Sequence, residues 1–110
     1  MKLRLEDNTL RLRLSPEEVV DFHQAGCLET VVPLGLSVTD RLIYSLLRDE
    51  TAAGSAPSVS YRSGRMIVHL PASLADAWTS SEEVSLRGTA EVADNQILHI
   101  LVEKDLGCKH

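Results

Sequence analysis

The residues best equipped for chemistry gather toward the two ends of the chain. Cys108 and His110 close the sequence, while His23 and Cys27 carry the four-residue spacing that puts two side chains on one side of a helix. Thiolate and imidazole are the usual ligands of tetrahedral Zn²⁺, so these four residues could in principle form a set. Gly26, however, reads as a helix stop between His23 and Cys27, and the compact spacings that make zinc motifs specific are missing. The expectation is no metal site, with Cys27 and Cys108 as buried structural thiols. Glu103, Lys104 and Asp105 follow the apolar run "ILHILV" and form a charged pole where the last strand leaves its sheet. With Cys108 they make the candidate binding residues, and Glu103 or Asp105 could bind a cation or act as a base. The plainer alternative is a solvated strand end whose ion pairs contribute little. Within that strand Ile97, His99 and Leu101 point one way and Leu98, Ile100 and Val102 the other, so His99 is expected among aliphatics as a packing residue with a satisfied polar tip.

A second cluster is cationic. If Asp7-Asn8 is a two-residue turn, antiparallel pairing sets Arg4 opposite Arg11 and Lys2 opposite Arg13, four like charges on the outer face of one hairpin. They require acidic partners, for which Glu17, Glu18 or a neighbouring chain are the candidates. A two-stranded ribbon can also enter a DNA groove. The corresponding positions farther along hold Ser58, Ser60, Ile67 and His69, and no aromatic platform accompanies the cations, so nucleic acid ranks below simple neutralisation. No Gly-x-Ser-x-Gly elbow, phosphate loop, HExxH or paired-cysteine motif occurs, which leaves no catalytic residue to assign and no cofactor to name.

The elements that position these residues read as two copies of one unit. Leu3, Leu10, Leu14 and Phe22 lie over Val59, Met66, Leu70 and Trp78 at a spacing of 56, and Asp7-Asn8 lies over Ser63-Gly64. "RLIYSLLRDE" then meets "QILHILVEKD" at a spacing of 55, which pairs His99 with Tyr44. Each unit, 3–50 and 58–105, reads strand, turn, strand, helix, strand, loop, strand. Ser15, Pro16 and Glu18 spell a capping box, and Gly26 ends a helix over 16–25. The second helix, "PASLADAWTSS", starts with Pro71 and puts Leu70, Leu74, Ala77 and Trp78 on one side. The predicted fold is α+β: one domain over residues 1–110, its duplicated β-β-α-β-β units forming an antiparallel, barrel-like sheet of eight strands with two short helices and the final strands central.

Taken together, "LRLRLSPEEVVDF", "LPASLADAW" and "LHILVEKDLGC" resemble a small bacterial family of uncharacterised proteins with an N-terminal RLRL strand, an LP helix ending in Trp and a terminus close to LVEKDFxC. Leu106 stands where that pattern has Phe. The resemblance spans nearly the whole chain and implies no activity or ligand. With 16 acidic against 11 basic residues the net charge is −5, which opposes generic attraction to nucleic acid or anionic lipid unless the cations segregate on one face. No stretch reaches the roughly 18 apolar residues of a membrane span, and the alternating N-terminus lacks the apolar core of a signal peptide. The expectation is a non-catalytic cytoplasmic binding or interaction domain that could pair with a second copy, Ile67 beside His69 being the exposed contact. The alternative is a small-molecule binder or enzyme using the pole at Glu103 and Asp105.

Overall fold

The computed structural model describes residues 1–106. In chain order the elements are β1 (Lys2–Glu6), β2 (Thr9–Leu14), α1 (Pro16–Ala25), β3 (Cys27–Pro33), β4 (Arg41–Asp49), β5 (Ser58–Arg62), β6 (Arg65–Pro71), α2 (Ala72–Thr79), β7 (Ser85–Val92), one 3-10 turn (Ala93–Asn95) and β8 (Gln96–Lys104). Local sequence accounts for most of these boundaries. Asp7 adopts φ 52° in the two-residue loop between β1 and β2. Ser63 and Gly64 both take positive φ between β5 and β6, as a hairpin turn matched to strand twist requires. At the start of α1 the Glu18 amide donates to Ser15 Oγ at 3.2 Å and the Ser15 amide to Glu18 Oε1 at 2.9 Å, completing the capping box. Gly26 at φ 77° ends the helix, its amide donating to the Phe22 carbonyl at 2.8 Å. The second helix begins at Ala72 with Pro71 as its cap, one residue later than the sequence expectation, and buries Ala75 and Trp78 while Ala77 faces outward.

The strands form two sheets of four, ordered β1-β2-β8-β7 and β3-β4-β6-β5, and neither closes on itself. Each sheet joins the opening hairpin of one half to the last two strands of the other. The junctions are parallel: β2 runs beside β8 with Leu12 level with Val102, and β6 beside β4 with Val68 level with Leu46. This corrects the expectation of a single antiparallel barrel-like sheet. The final strand of each half pairs antiparallel with the strand before it and, on its other side, lies in the same direction against the other half's hairpin. The final strands β4 and β8 do occupy interior positions. Both sheets feed one core, in which Leu12, Val102, Leu46 and Val68 are fully buried beneath Phe22 and Trp78, whose rings meet edge to face at 6.4 Å.

The positions correspond between halves. Lys2 and Ser58 open β1 and β5, Thr9 and Arg65 open β2 and β6, and Pro16 and Ala72 open the helices, each pair 56 apart. The same spacing holds in the last strands, because Ile100 sits opposite Leu10 as Tyr44 sits opposite Met66. The expected spacing of 55 is therefore off by one residue, and in a strand that moves a side chain to the other face. Tyr44 points into the core and donates its hydroxyl to the Met1 carbonyl at 2.9 Å. His99 is exposed on the outside of its sheet instead of packing among aliphatics. Ile100→Ala should accordingly cost about 2–5 kcal/mol in urea unfolding, and His99→Ala no more than about 0.5 kcal/mol. The reverse order would restore the spacing of 55.

Candidate functional site

The outer face of the β1-β2-β8-β7 sheet collects the cations. The hairpin register is as its turn dictates, Lys2 opposite Arg13 and Arg4 opposite Arg11. Following the ladder onward, Arg11 is level with Leu101 and Leu101 with Arg87, so one row across four strands reads Arg4, Arg11, Leu101, Arg87. At the usual strand separation that row is about 14 Å wide. The neighbouring row reads Lys2, Arg13, Glu103, Ser85. Glu103, only 16% exposed, is the internal counter-charge: its Oε1 lies 3.5 Å from Arg11 Nε and 3.4 Å from Arg13 Nη2. Glu18, one of the neutralisers expected from sequence beside Glu17 or a neighbouring chain, is occupied by the α1 cap and by the Met1 ammonium. Lys2, Arg4, Arg11 and Arg13 surround a hollow of about 340 Å³. Arg11 Nε is itself shut off from solvent and makes no hydrogen bond, with the Glu103 carboxylate as its ionic partner.

The charged pole is divided by the alternation of β8. Glu103 belongs to the cationic face, while Lys104 turns to the opposite side, donating Nζ to the Ser81 carbonyl at 2.7 Å and lying 5.4 Å from the centre of the Trp78 ring. Burial lowers the Lys104 pKa below its ordinary value, with the carboxylates of Glu83 and Glu82 opposing. The Asp105 amide closes the strand by donating to the Leu14 carbonyl at 2.7 Å. Lys104 and Asp105 share a hollow of about 280 Å³ with Pro16, Val19 and Leu106. Glu103 and Lys104 thus do not converge on one ligand. Cys108 and His110 lie outside the described residues.

His23 bonds Thr79 Oγ1 through Nδ1 at 2.8 Å, and Cys27 is exposed, which corrects its expected burial. Its side of β3 is the outer one, where Leu28, Thr30 and Val32 alternate inward. Partial desolvation and the charge of Glu29 still push the thiol above its ordinary pKa. Among the described residues no group of three or more His, Cys, Asp or Glu side chains is arranged to hold a metal ion. Nor is any helix long and apolar enough to cross a membrane.

The outer face of the β3-β4-β6-β5 sheet carries a set that the sequence did not announce. His69 on β6 stands between Ser60 and Asp49: Ser60 Oγ is 2.8 Å from Nε2, and Asp49 Oδ2 is 2.8 Å from Nδ1. Asp49 is itself fixed by Thr51, whose amide and hydroxyl donate to Oδ1 at 2.9 and 2.6 Å. These bonds from Thr51, followed by the one from His69, hold the Asp49 carboxyl down at about 2. In the sequence Ser60 and His69 stand as uncharged counterparts of the ribbon cations, and His69 also beside Ile67 at the expected contact. The Ser63-Gly64 turn already makes them diagonal neighbours, but Asp49 joins them only through the β4–β6 pairing. Ile67, beside them on this face, is half-buried and not the open contact expected.

The molecule is thus an α+β domain of two mixed sheets with a segregated cationic face. It belongs to a family of unknown function (DUF7009), whose model matches residues 1–110. Neither a curated protein nor a solved structure matches the chain.

Because Asp49 has a folded-state pKa below its ordinary 3.8, its ionised form favours the fold above that value, and the contribution is lost as pH falls toward about 2. Asp49→Asn should therefore flatten the loss of thermal stability between pH 3.8 and about 2 relative to the parent chain. Equal slopes in that window would remove the Thr51 and His69 bonds as its cause.

Proposed function

We propose that this chain is a binding domain, built from two related halves, that holds a phosphate-bearing polyanion on the outer face of the β1-β2-β8-β7 sheet. Five of its 11 Lys and Arg residues, Lys2, Arg4, Arg11, Arg13 and Arg87, lie on that face, against Glu6, Glu91 and Glu103. Such segregation gives an acidic protein a local positive field, the condition under which its net charge ceases to forbid an anionic partner. Four of the five are arginine, whose planar fork suits phosphate oxygens. The observation that carries the reading is the gathering of Lys2, Arg4, Arg11 and Arg13 around one hollow, with Glu103 as the half-buried acid between Arg11 and Arg13. A flat row of cations tracks a charged backbone and has no aromatic group on which to stack a base, so the reading implies little sequence preference and strong salt dependence. The equal spacing of elements in the two halves supports an internal duplication, after which only the first hairpin carried this charge.

Fluorescence anisotropy with single- and double-stranded oligonucleotides at low salt tests the proposal. Binding in about the micromolar range is expected, weakening steeply as salt rises. Arg4→Glu and Arg87→Glu should each weaken it, and Glu103→Gln should tighten it by removing the internal competitor for Arg11 and Arg13. Failure of both oligonucleotides to bind at low salt would remove phosphate polyanions as ligands.

A second reading, contact between copies of this chain, is favoured by the loop at 34–40. Leu34, Leu36 and Val38 are its most exposed large apolar residues, Leu36 wholly so. Asp40 holds the loop in shape, its carbonyl accepting from the Leu34 and Gly35 amides and its carboxylate from the Ser37 amide at 3.2 Å. The apolar side chains are therefore presented outward by a hydrogen-bonded frame, the kind of exposed patch that marks an interface. Light scattering should find a dimer that Leu36→Asp dissociates, and a monomer at high concentration would exclude it.

A further inference from the structure

The Ser60, His69 and Asp49 chain lies on the other sheet from the cationic face, and the binding role leaves it unused. We propose that these residues are the nucleophile, general base and orienting carboxylate of an acyl-transfer site that hydrolyses small, unhindered esters. Three observations carry this. The order of contacts is the one nucleophile activation needs, hydroxyl to imidazole to carboxylate, both at 2.8 Å. The carboxylate is anchored through its other oxygen by two bonds from Thr51, which leaves Oδ2 aimed at Nδ1. The three groups also rise from adjoining strands of one sheet, β5, β6 and β4, which holds their spacing more tightly than a loop would.

The tautomer follows from the carboxylate. Asp49 is ionised at neutral pH and accepts from Nδ1–H, so in the neutral imidazole the Nε2 lone pair faces the Ser60 hydroxyl. As Ser60 Oγ bonds to the ester carbonyl carbon, its proton passes to Nε2 and the imidazolium is stabilised by Asp49. Collapse of the tetrahedral adduct breaks the bond to the alkoxide, which leaves with that proton as an alcohol. Water then attacks the acyl-serine, giving a proton to Nε2, and the second collapse returns the proton to Ser60 Oγ and releases the carboxylic acid. Each stage conserves its atoms and protons with water as the one co-reactant.

A backbone donor available to the developing oxyanion is the Tyr61 amide, adjacent to Ser60 in the chain. With Arg62 and Arg65 closing a two-residue loop, the ladder alternation turns that N–H away from β6, toward the free edge of β5. The same position, one residue after the nucleophile, supplies an oxyanion donor in other acyl-transfer enzymes. Ser60 is exposed on an edge strand, so access is open and the acyl group need only be small.

The test uses a fluorophosphonate, which phosphonylates activated serines, with the adduct located by peptide mass spectrometry and turnover of p-nitrophenyl acetate followed in parallel. An adduct on Ser60 is expected, with hydrolysis falling by about 10²-fold or more in Ser60→Ala and in His69→Gln. Asp49→Asn should lower the rate of Ser60 labelling without removing the hydroxyl. Ser60 is exposed, so Ser60→Ala keeps the fold, and matching unfolding curves confirm this. An unmodified Ser60, an adduct only elsewhere, or labelling unchanged in His69→Gln would each overturn the proposal.

Discussion

The architecture depends on the two parallel junctions, β2 with β8 and β4 with β6, through which each half of the chain completes the other's sheet. A hairpin of one five-residue and one six-residue strand with alternating leucines cannot bury its inner face alone, and a two-stranded ribbon is marginal in water. Supplying the last strands from the opposite half gives each sheet its third and fourth members and brings Leu12, Val102, Leu46 and Val68 into one fully buried layer. Phe22 and Trp78 then have an apolar floor, and the two helices meet across it. The exchange ties residues near position 10 to residues near position 100, so neither half has a complete sheet without the other.

The same junctions decide which polar groups become neighbours. Glu103 reaches Arg11 and Arg13 only because β8 lies beside β2, and Arg87 joins the row because β7 lies beside β8. On the other sheet, Asp49 reaches His69 because β4 lies beside β6. The core shared by the sheets is a cluster of apolar side chains and the outer sides are unlike: one is arginine-rich with Glu103 half-buried among its cations, the other carries serines, a histidine and an anchored aspartate. A framework nearly repeated in its elements thus presents two chemically different surfaces.

Much of the fold was legible locally. The capping box at Ser15 and Glu18, the Gly26 stop, the two tight turns, eight strands and two helices all follow from residues within a few positions of one another, and so does the Lys2–Arg13 and Arg4–Arg11 register. The charged pole was less legible, because side chains adjacent in sequence on a strand diverge to opposite faces: Glu103 entered the cationic face and Lys104 the Trp78 side. His99 was misplaced for the related reason that a single-residue error in alignment inverts a strand, and the loop between β7 and β8 offered no sequence marker for its length.

By itself the sequence determined element type, the limits of the first helix, turn positions and the segregation of apolar from polar residues, since these depend on backbone torsion and on neighbours close in the chain. The tertiary structure alone decided strand partners, direction and the outer-face company of each polar residue. Parallel and antiparallel neighbours demand the same alternation from a strand, so the pattern within "LRLRL" or "LHILV" cannot state which strand it will lie against. That choice is made by the burial both halves achieve together, and it is what placed Arg87 with Arg11 and Asp49 with His69.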